Sequence, residues 1–544
     1  MTSVMPLQTA GPATPHHVVP VAWHTGSLVV SVLLCLNVVS TPLKAYLCEA
    51  LPWQIDDLPE LYESSTTPWT TKEAHLLAFF STLYNNDTLS PRAVYFTDVR
   101  TSTVGYRAHL RRPQAVSNCD VDVLTAIDGG LFVAEAARNT FCAYVATPPS
   151  NASTMGSCFA TTVLRSVEGY VCIWSVLADD APRLENDARI EVLYTGFRLH
   201  GSSAFLWFKL VYRSLLTFYL VYLVWRHYYA HYRTLRAQCR HLPHATRCLL
   251  LVGDPTSIVL LHPLVCFGLV VDTWLSVNMV GVEIMALLQL RDLWQFALGY
   301  FYLSRCVWFC YAFLAIASAV LKRYHIEHSF SPVDPTLVAV AATLVVGPMT
   351  YLQGHSALIQ VYSWLLNVSA NSPHATEGIY AIFVYTISIG LLPIGYGVLH
   401  RQCRRTPTSA NAVYYAAFWF NDWKHRVLLH LEALFLGLGR IERRTGGSIY
   451  AVFARYPDFK QSPCISQRGA DAYVVIYDAT GPVECKRLSL LASVDARPHH
   501  CRIEIVRCRG TQVFGHLELQ TSKATGMVAC VAYTSLNGDS PWLE

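Results

Sequence analysis

Four ionisable side chains interrupt long apolar stretches of this chain: Lys209, Arg213, Asp272 and Arg305. Charge at membrane depth is costly, so where it occurs it pairs, lines a path for an ion or substrate, or relays protons. Lys209 and Arg213 stand four residues apart and share one helix face. At about 1.5 Å of rise per residue, Arg213, Asp272 and Arg305 each fall roughly 12–14 Å from the outer end of their stretches. Three helices thus bring two bases and one acid to one level, with Lys209 higher. Two chemistries follow. One is an Arg213–Asp272 pair that fixes helix packing while Lys209 snorkels to the surface. The other is a water-accessible cationic site for an anion.

Other constellations carry less. The adjacent acids Asp56-Asp57 and Asp179-Asp180 sit near prolines and read as solvated turns. His227, His231, Cys239, His241 and His244 lie within one basic segment but lack the paired spacing of a zinc site, and His325 and His328 are equally unspecific. No nucleophile elbow, metalloprotease helix, phosphate loop or kinase signature is present. The sequence therefore assigns no catalytic residue, no metal and no cofactor, and the chain reads as a protein that is not an enzyme.

The elements that position the four charges are membrane spans. Of 544 residues, 53% are hydrophobic and 14% charged, where soluble domains run at about 25% charged. A net charge of +4 excludes nucleic acid as a bulk partner. A span needs about 20 mostly apolar residues, and six stretches qualify: 21–43, 204–225, 258–280, 296–320, 336–352 and 378–399. Asp254-Pro255 and Asp334-Pro335 precede the third and fifth, as an N-cap followed by a proline that loses no hydrogen bond. The first stretch also has the look of a cleaved signal peptide, although no Lys or Arg precedes it.

Basic residues cluster in alternate loops: Arg226, Arg233, Arg236, Arg240 and Arg247 in 226–255, Lys322 and Arg323 after the fourth span, and Arg401, Arg404 and Arg405 after the sixth. Such loops face the cytoplasm. This threading leaves 1–20 and 400–544 inside and 44–203 outside. The sequons at Asn86, Asn151 and Asn367 all fall on the outer side, as glycosylation requires. The segment 44–203 holds 18 acids and 12 bases, the tail from 400 holds 12 and 18, and that asymmetry suits an anionic cytoplasmic leaflet.

Outside the membrane, Cys119, Cys142, Cys158 and Cys172 form an even set that an oxidising compartment pairs into two disulfides, with three connectivities open. Cys48 is left over. A helix around 74–83 and strands at 93–97, 131–134 and 190–194 give the outer domain a mixed character. Inside, an aromatic interfacial segment falls within 400–445. Strand-like runs at 472–477, 488–494, 502–506, 513–519 and 528–533 make 446–544 a small β-rich domain.

The expected fold is a polytopic α-helical membrane protein of about six transmembrane helices, with a large disulfide-containing extracytosolic domain and a small β-rich cytoplasmic C-terminal domain. In layout this resembles the polycystin and mucolipin cation channels, which also place a large outer domain between spans one and two. The resemblance implies a pore loop with an acidic filter between the last two spans. Here 353–377 offers Ser363-Trp364-Leu365-Leu366-Asn367 and no acid before Glu377. The expected function is non-catalytic contact or sensing through the outer domain, in a plasma or internal membrane. The alternative is a channel or transporter that uses the charge cluster. The expected partners are the bilayer, anionic lipid at the basic loops, and a protein or small ligand outside.

Overall fold

The computed structural model describes residues 18–55, 68–90, 93–111, 118–119, 123–124, 134–147, 155–163, 167–177, 190–199, 203–287, 290, 292–351, 379–403, 443–495, 503–509, 513–521, 528–534 and 540–544.

Strand β1 (Val21–Trp23) precedes helix α1 (Thr25–Val39). The Nδ1 of His24 accepts from Ser27 N at 3.1 Å and caps α1, so the first apolar stretch begins as a strand and its helix is only 15 residues long. A 3₁₀ turn at Leu43–Leu47 follows. Next comes a domain built from α2 (Trp69–Leu83), β2 (Tyr95–Asp98), β3 (Thr103–Arg111), α3 (Glu135–Ala146), β4 (Gly156–Val163), β5 (Val167–Leu177) and β6 (Ile190–Leu199). Its five strands form an antiparallel sheet in the order β2-β3-β6-β5-β4. Helix α2 packs on that sheet through Leu76 and the fully buried Phe80. A Cβ at Gly196 would lie 2.5 Å from the Phe80 ring, so only glycine admits this approach.

The four cysteines of this domain form two disulfides, Cys119–Cys142 and Cys158–Cys172. The first ties residue 119 to α3, and the second joins directly opposed residues of β4 and β5. The expected strand at 131–134 lies outside the described residues up to 133, and the chain then enters α3.

The membrane half starts with α4 (Ser203–Val224), which passes through a π turn (Trp225–Tyr229) into α5 (Ala230–Cys239). Strand β7 (Arg247–Leu251) and the short α6 (Thr256–Val259) come next, then α7 (Pro263–Trp274), α8 (Val277–Leu287) and α9 (Leu293–Leu303). A 3₁₀ turn (Ser304–Cys306) leads into α10 (Val307–Tyr324), followed by α11 (Pro335–Leu344) and α12 (Ile379–Cys403). Among the described residues, three helices are long and apolar enough to cross a membrane, Ser203–Cys239, Leu293–Tyr324 and Ile382–Cys403, or four if the bent pair Pro263–Trp274 and Val277–Leu287 counts as one span. They make this a membrane protein. Their outward faces carry exposed apolar side chains such as Leu215, Phe218 and Ile316, which in water would be an aggregation surface.

The expected third span departs from a single helix. Its Asp254 carboxylate accepts from Thr256 N at 3.0 Å, but the helix so started is only four residues long. The longer α7 starts at Pro263, and α7 and α8 meet at a 71° bend. By contrast, Asp334 caps α11 as its residue type implies, accepting from Thr336 N at 2.8 Å and Leu337 N at 3.1 Å. Helix α11 then gives way to a π turn at Val345–Met349, which contains Pro348.

The remaining elements are β8 (Arg443–Gly446), α13 (Ser448–Arg455), β9 (Ala472–Tyr477), β10 (Pro482–Leu490), β11 (Ile503–Arg509), β12 (His516–Thr521), β13 (Val528–Thr534) and β14 (Trp542–Leu543). The expected strand at 488–494 begins earlier, at Pro482, and ends at Leu490 in a 3₁₀ turn. Strands β11, β13 and β12 form one small sheet. The other sheet runs β1-β7-β9-β10-β14, with β8 against β10, and so draws on three distant parts of the chain. The basic segment 226–255 is therefore no simple loop. Tyr232, Leu235 and Cys239 of α5 are buried against this sheet, while Arg226, Arg233, Arg236, Arg240 and Arg247 stay exposed.

Candidate functional site

The four charges of the apolar stretches meet in one buried cluster. Arg213 comes from α4 and Asp272 from α7, and Arg213 Nε donates to Asp272 Oδ1 at 2.7 Å. Arg305, on the 3₁₀ turn between α9 and α10, donates through Nη2 to Asp272 Oδ2. Lys209 lies one turn from Arg213 on the same face of α4. It does not reach the surface as expected. Its side chain is 6% exposed, and its ammonium donates to Glu49 Oε2 at 2.9 Å and Ser276 Oγ at 3.4 Å.

Glu49 is the residue that sequence reasoning missed. It follows the 3₁₀ turn after α1, and it looked like one more acid of the outer segment. In the fold its carboxylate is 3% exposed and is the hub of the cluster. Arg213 donates to both its oxygens at 2.8 Å, a bidentate pair. The Tyr302 hydroxyl donates to Oε1 at 2.6 Å, and Arg305 Nη1 lies 3.5 Å from the same oxygen. The Tyr46 ring stacks 4.8 Å from the Arg213 guanidinium. A sequence signal did exist: Glu49 is the first acid of the chain and stands just ten residues beyond the end of α1.

The bend between α7 and α8 has a role here. It presents Ser276, itself fully buried, whose hydroxyl accepts from Arg213 Nη2 at 2.9 Å. Three cations and two carboxylates leave one formal positive charge in excess. Every charged side chain of the cluster is 6% exposed or less. The cluster can therefore clamp α4, α7, α9 and the segment after α1 to one another.

About two turns beyond Ser276, α8 meets the disulfide domain. Tyr106 OH donates to Val282 O at 3.2 Å, and Tyr95 OH donates to Glu283 Oε1 at 3.5 Å. Tyr95, Tyr106, Val282, Met285 and Ala286 are packed together and buried. Burial and then the Glu283 carboxylate hold the Tyr95 hydroxyl well above its usual range, so it stays a donor.

The remaining sequence candidates are dispersed. Asn86 is exposed, with its side-chain oxygen accepting from Tyr194 OH. Asn151, Asn367, Asp56-Asp57, Asp179-Asp180, the pore-loop position 353–377 and the aromatic segment 414–438 all lie outside the described residues. Cys48 is a free thiol whose Sγ donates to Leu298 O at 3.7 Å. Among the described residues no group of His, Cys, Asp and Glu is placed to hold a metal ion. Compared with known families, curated proteins and solved structures, the chain matches no family model, no curated protein and no solved structure.

Proposed function

We propose that this chain is a non-catalytic membrane protein whose disulfide domain meets a protein or small ligand outside the membrane and relays that contact to the β-rich domain inside. One observation carries the reading: the domain docks through Tyr95 and Tyr106 onto α8, which leads directly to the Ser276 end of the charge cluster. From the cluster, α4 continues through its π turn into α5, and α5 packs against the β1-β7-β9 sheet. A displacement at α8 thus has a packed route to the far domain.

Threading completes the proposal. Six spans, with α1 and α11 as short ones and α7–α8 as a bent one, place both termini in the cytoplasm and the sequons outside. The five exposed arginines of 226–247 then face anionic lipid. In sealed vesicles with the cytoplasmic face inward, protease added from the outside should cut within 44–203 and leave the C-terminal domain intact. Cleavage of that domain alone from outside would reverse the threading.

The relay has its own measurement, hydrogen exchange in full-length Tyr106→Ala. Losing this buried bond and ring should lower protection in α8 by about 1–2 kcal/mol, and a smaller loss should reach α5 and β7. Change confined to α8 would mean the domain is anchored without relaying anything. A transport role draws on the one positive charge in excess, but the closed, solvent-excluded arrangement of the cluster favours a clamp.

A further inference from the structure

Where the ends of α4, α10 and α12 meet the C-terminal domain, the structure holds a second charged site, a cavity of about 780 Å³. Its two sides differ in chemistry. Leu223, Val259, Leu261 and Phe330, from the helix ends, line it with apolar surface. Arg401 from α12 and Lys460 and Arg468 from the C-terminal domain line it with positive charge, and His227, His262, His328 and His400 add four imidazoles.

The acids in the lining do not neutralise it. Asp471 is engaged by Tyr450 OH at 2.6 Å and by Arg487 Nε at 2.5 Å. Glu327 lies 3.7 Å from Lys322, which it shares with Asp495 at 3.1 Å, and burial raises the pKa of the Glu327 carboxyl toward the neutral form. Arg401 Nε donates to His328 O at 2.9 Å, and Arg468 stacks 4.4 Å from the Tyr450 ring. The Lys460 ammonium has no hydrogen bond or ion pair among the described residues. Burial, then the charges of Arg468 and Arg401, pull its pKa down to about 8, as befits a cation with no counter-anion. A fold that gathers three cations beside an apolar wall and leaves one unmatched is built for an anion with an apolar side.

We propose that this cavity binds a phosphate-bearing headgroup, with Lys460, Arg401 and Arg468 on the phosphates and the wall of Leu223 and Phe330 against the adjoining apolar portion. The ligand is a phosphorylated lipid or the same headgroup free in solution. Bound there, it would bridge the ends of α4 and α12 to the C-terminal domain. The inference does not depend on what the outer domain contacts.

The test uses full-length protein in detergent, where membrane sidedness plays no part. Short-chain phosphatidylinositol bisphosphate, inositol trisphosphate and short-chain phosphatidylcholine are titrated in turn. The phosphorylated lipid should bind saturably and phosphatidylcholine should not. Lys460→Gln should weaken binding about ten-fold, the loss expected for one charge-assisted bond, and Lys460→Arg should retain it. Equal binding of inositol trisphosphate identifies a soluble headgroup as sufficient, whereas binding of the lipid alone identifies the bilayer as the source. If Lys460→Gln fails to fold, the exposed Arg401→Gln carries the same comparison. Saturable binding of neither phosphorylated probe, equal binding of phosphatidylcholine, or undiminished binding in Lys460→Gln and Arg401→Gln would overturn the proposal.

Discussion

Replacing Glu49 with leucine is expected to remove most of the folded protein. The substitution strands Lys209, Arg213 and Arg305 around the single carboxylate of Asp272 and raises the formal excess from one positive charge to two. Removing one partner from a buried ion pair costs about 3–5 kcal/mol, a large part of a total stability on the order of 5–15 kcal/mol. The direction of the imbalance makes a sharper expectation. Asp272→Leu also raises the excess to two and should be nearly as damaging. Arg213→Leu brings the cluster to neutrality and, despite the loss of four hydrogen bonds, should be the mildest of the three. Joining Arg213→Leu to Asp272→Leu restores the original excess, so the double variant should recover part of what Asp272→Leu loses. Monodisperse yield and melting temperature in detergent measure all four. A wild-type yield from Glu49→Leu, or strictly additive losses in the double variant, would mean that the residues do not act as one network.

The second large effect is expected at the other end of the molecule, from Trp542→Ala. Trp542 is fully buried, its ring lies 5.0 Å from Tyr232 of α5, and its Nε1 donates to His231 O at 3.0 Å. Two residues before it, Ser540 Oγ donates to Gln238 Oε1 at 3.1 Å. The last residues of the chain thus hold α5 against the sheet. Truncating a buried tryptophan costs about 3–5 kcal/mol through lost burial and the cavity left behind. The loss should appear as protease sensitivity of the C-terminal domain and the loop after α5, with the disulfide domain unaffected. Unchanged resistance of the C-terminal domain would show that Trp542 does not hold α5 in place.

The two effects differ in how far the sequence foretold them. The level shared by Arg213, Asp272 and Arg305 was legible because helix rise is a local property: counting along three apolar stretches gives depth without knowledge of their neighbours. The disulfide set was legible for a similar reason, since four cysteines in one segment between apolar stretches need no fold to be counted, and the Asp334-Pro335 cap is satisfied within three residues of itself. Glu49 is marked in the sequence only as the first acid after the first apolar stretch, and nothing local names its partners. It follows a 3₁₀ turn, where periodicity is silent, and its partners stand 160 to 256 residues away. Lys209 could have snorkelled on an isolated helix, and the hydrogen bonds to Glu49 and Ser276 offset the cost of its burial. The bend at Ser276 lies inside the long apolar stretch 258–280, so composition reads straight through it. Strand β1 looked like the start of a span because three apolar residues fit a helix or a strand equally well. What decided between them was a pairing with β7, more than two hundred residues distant. Sequence alone determined the membrane character, the shared level of three charges and the oxidised cysteines. Tertiary structure alone decided which charge sits at the centre, because a buried ion network is defined by the geometry of all its members at once.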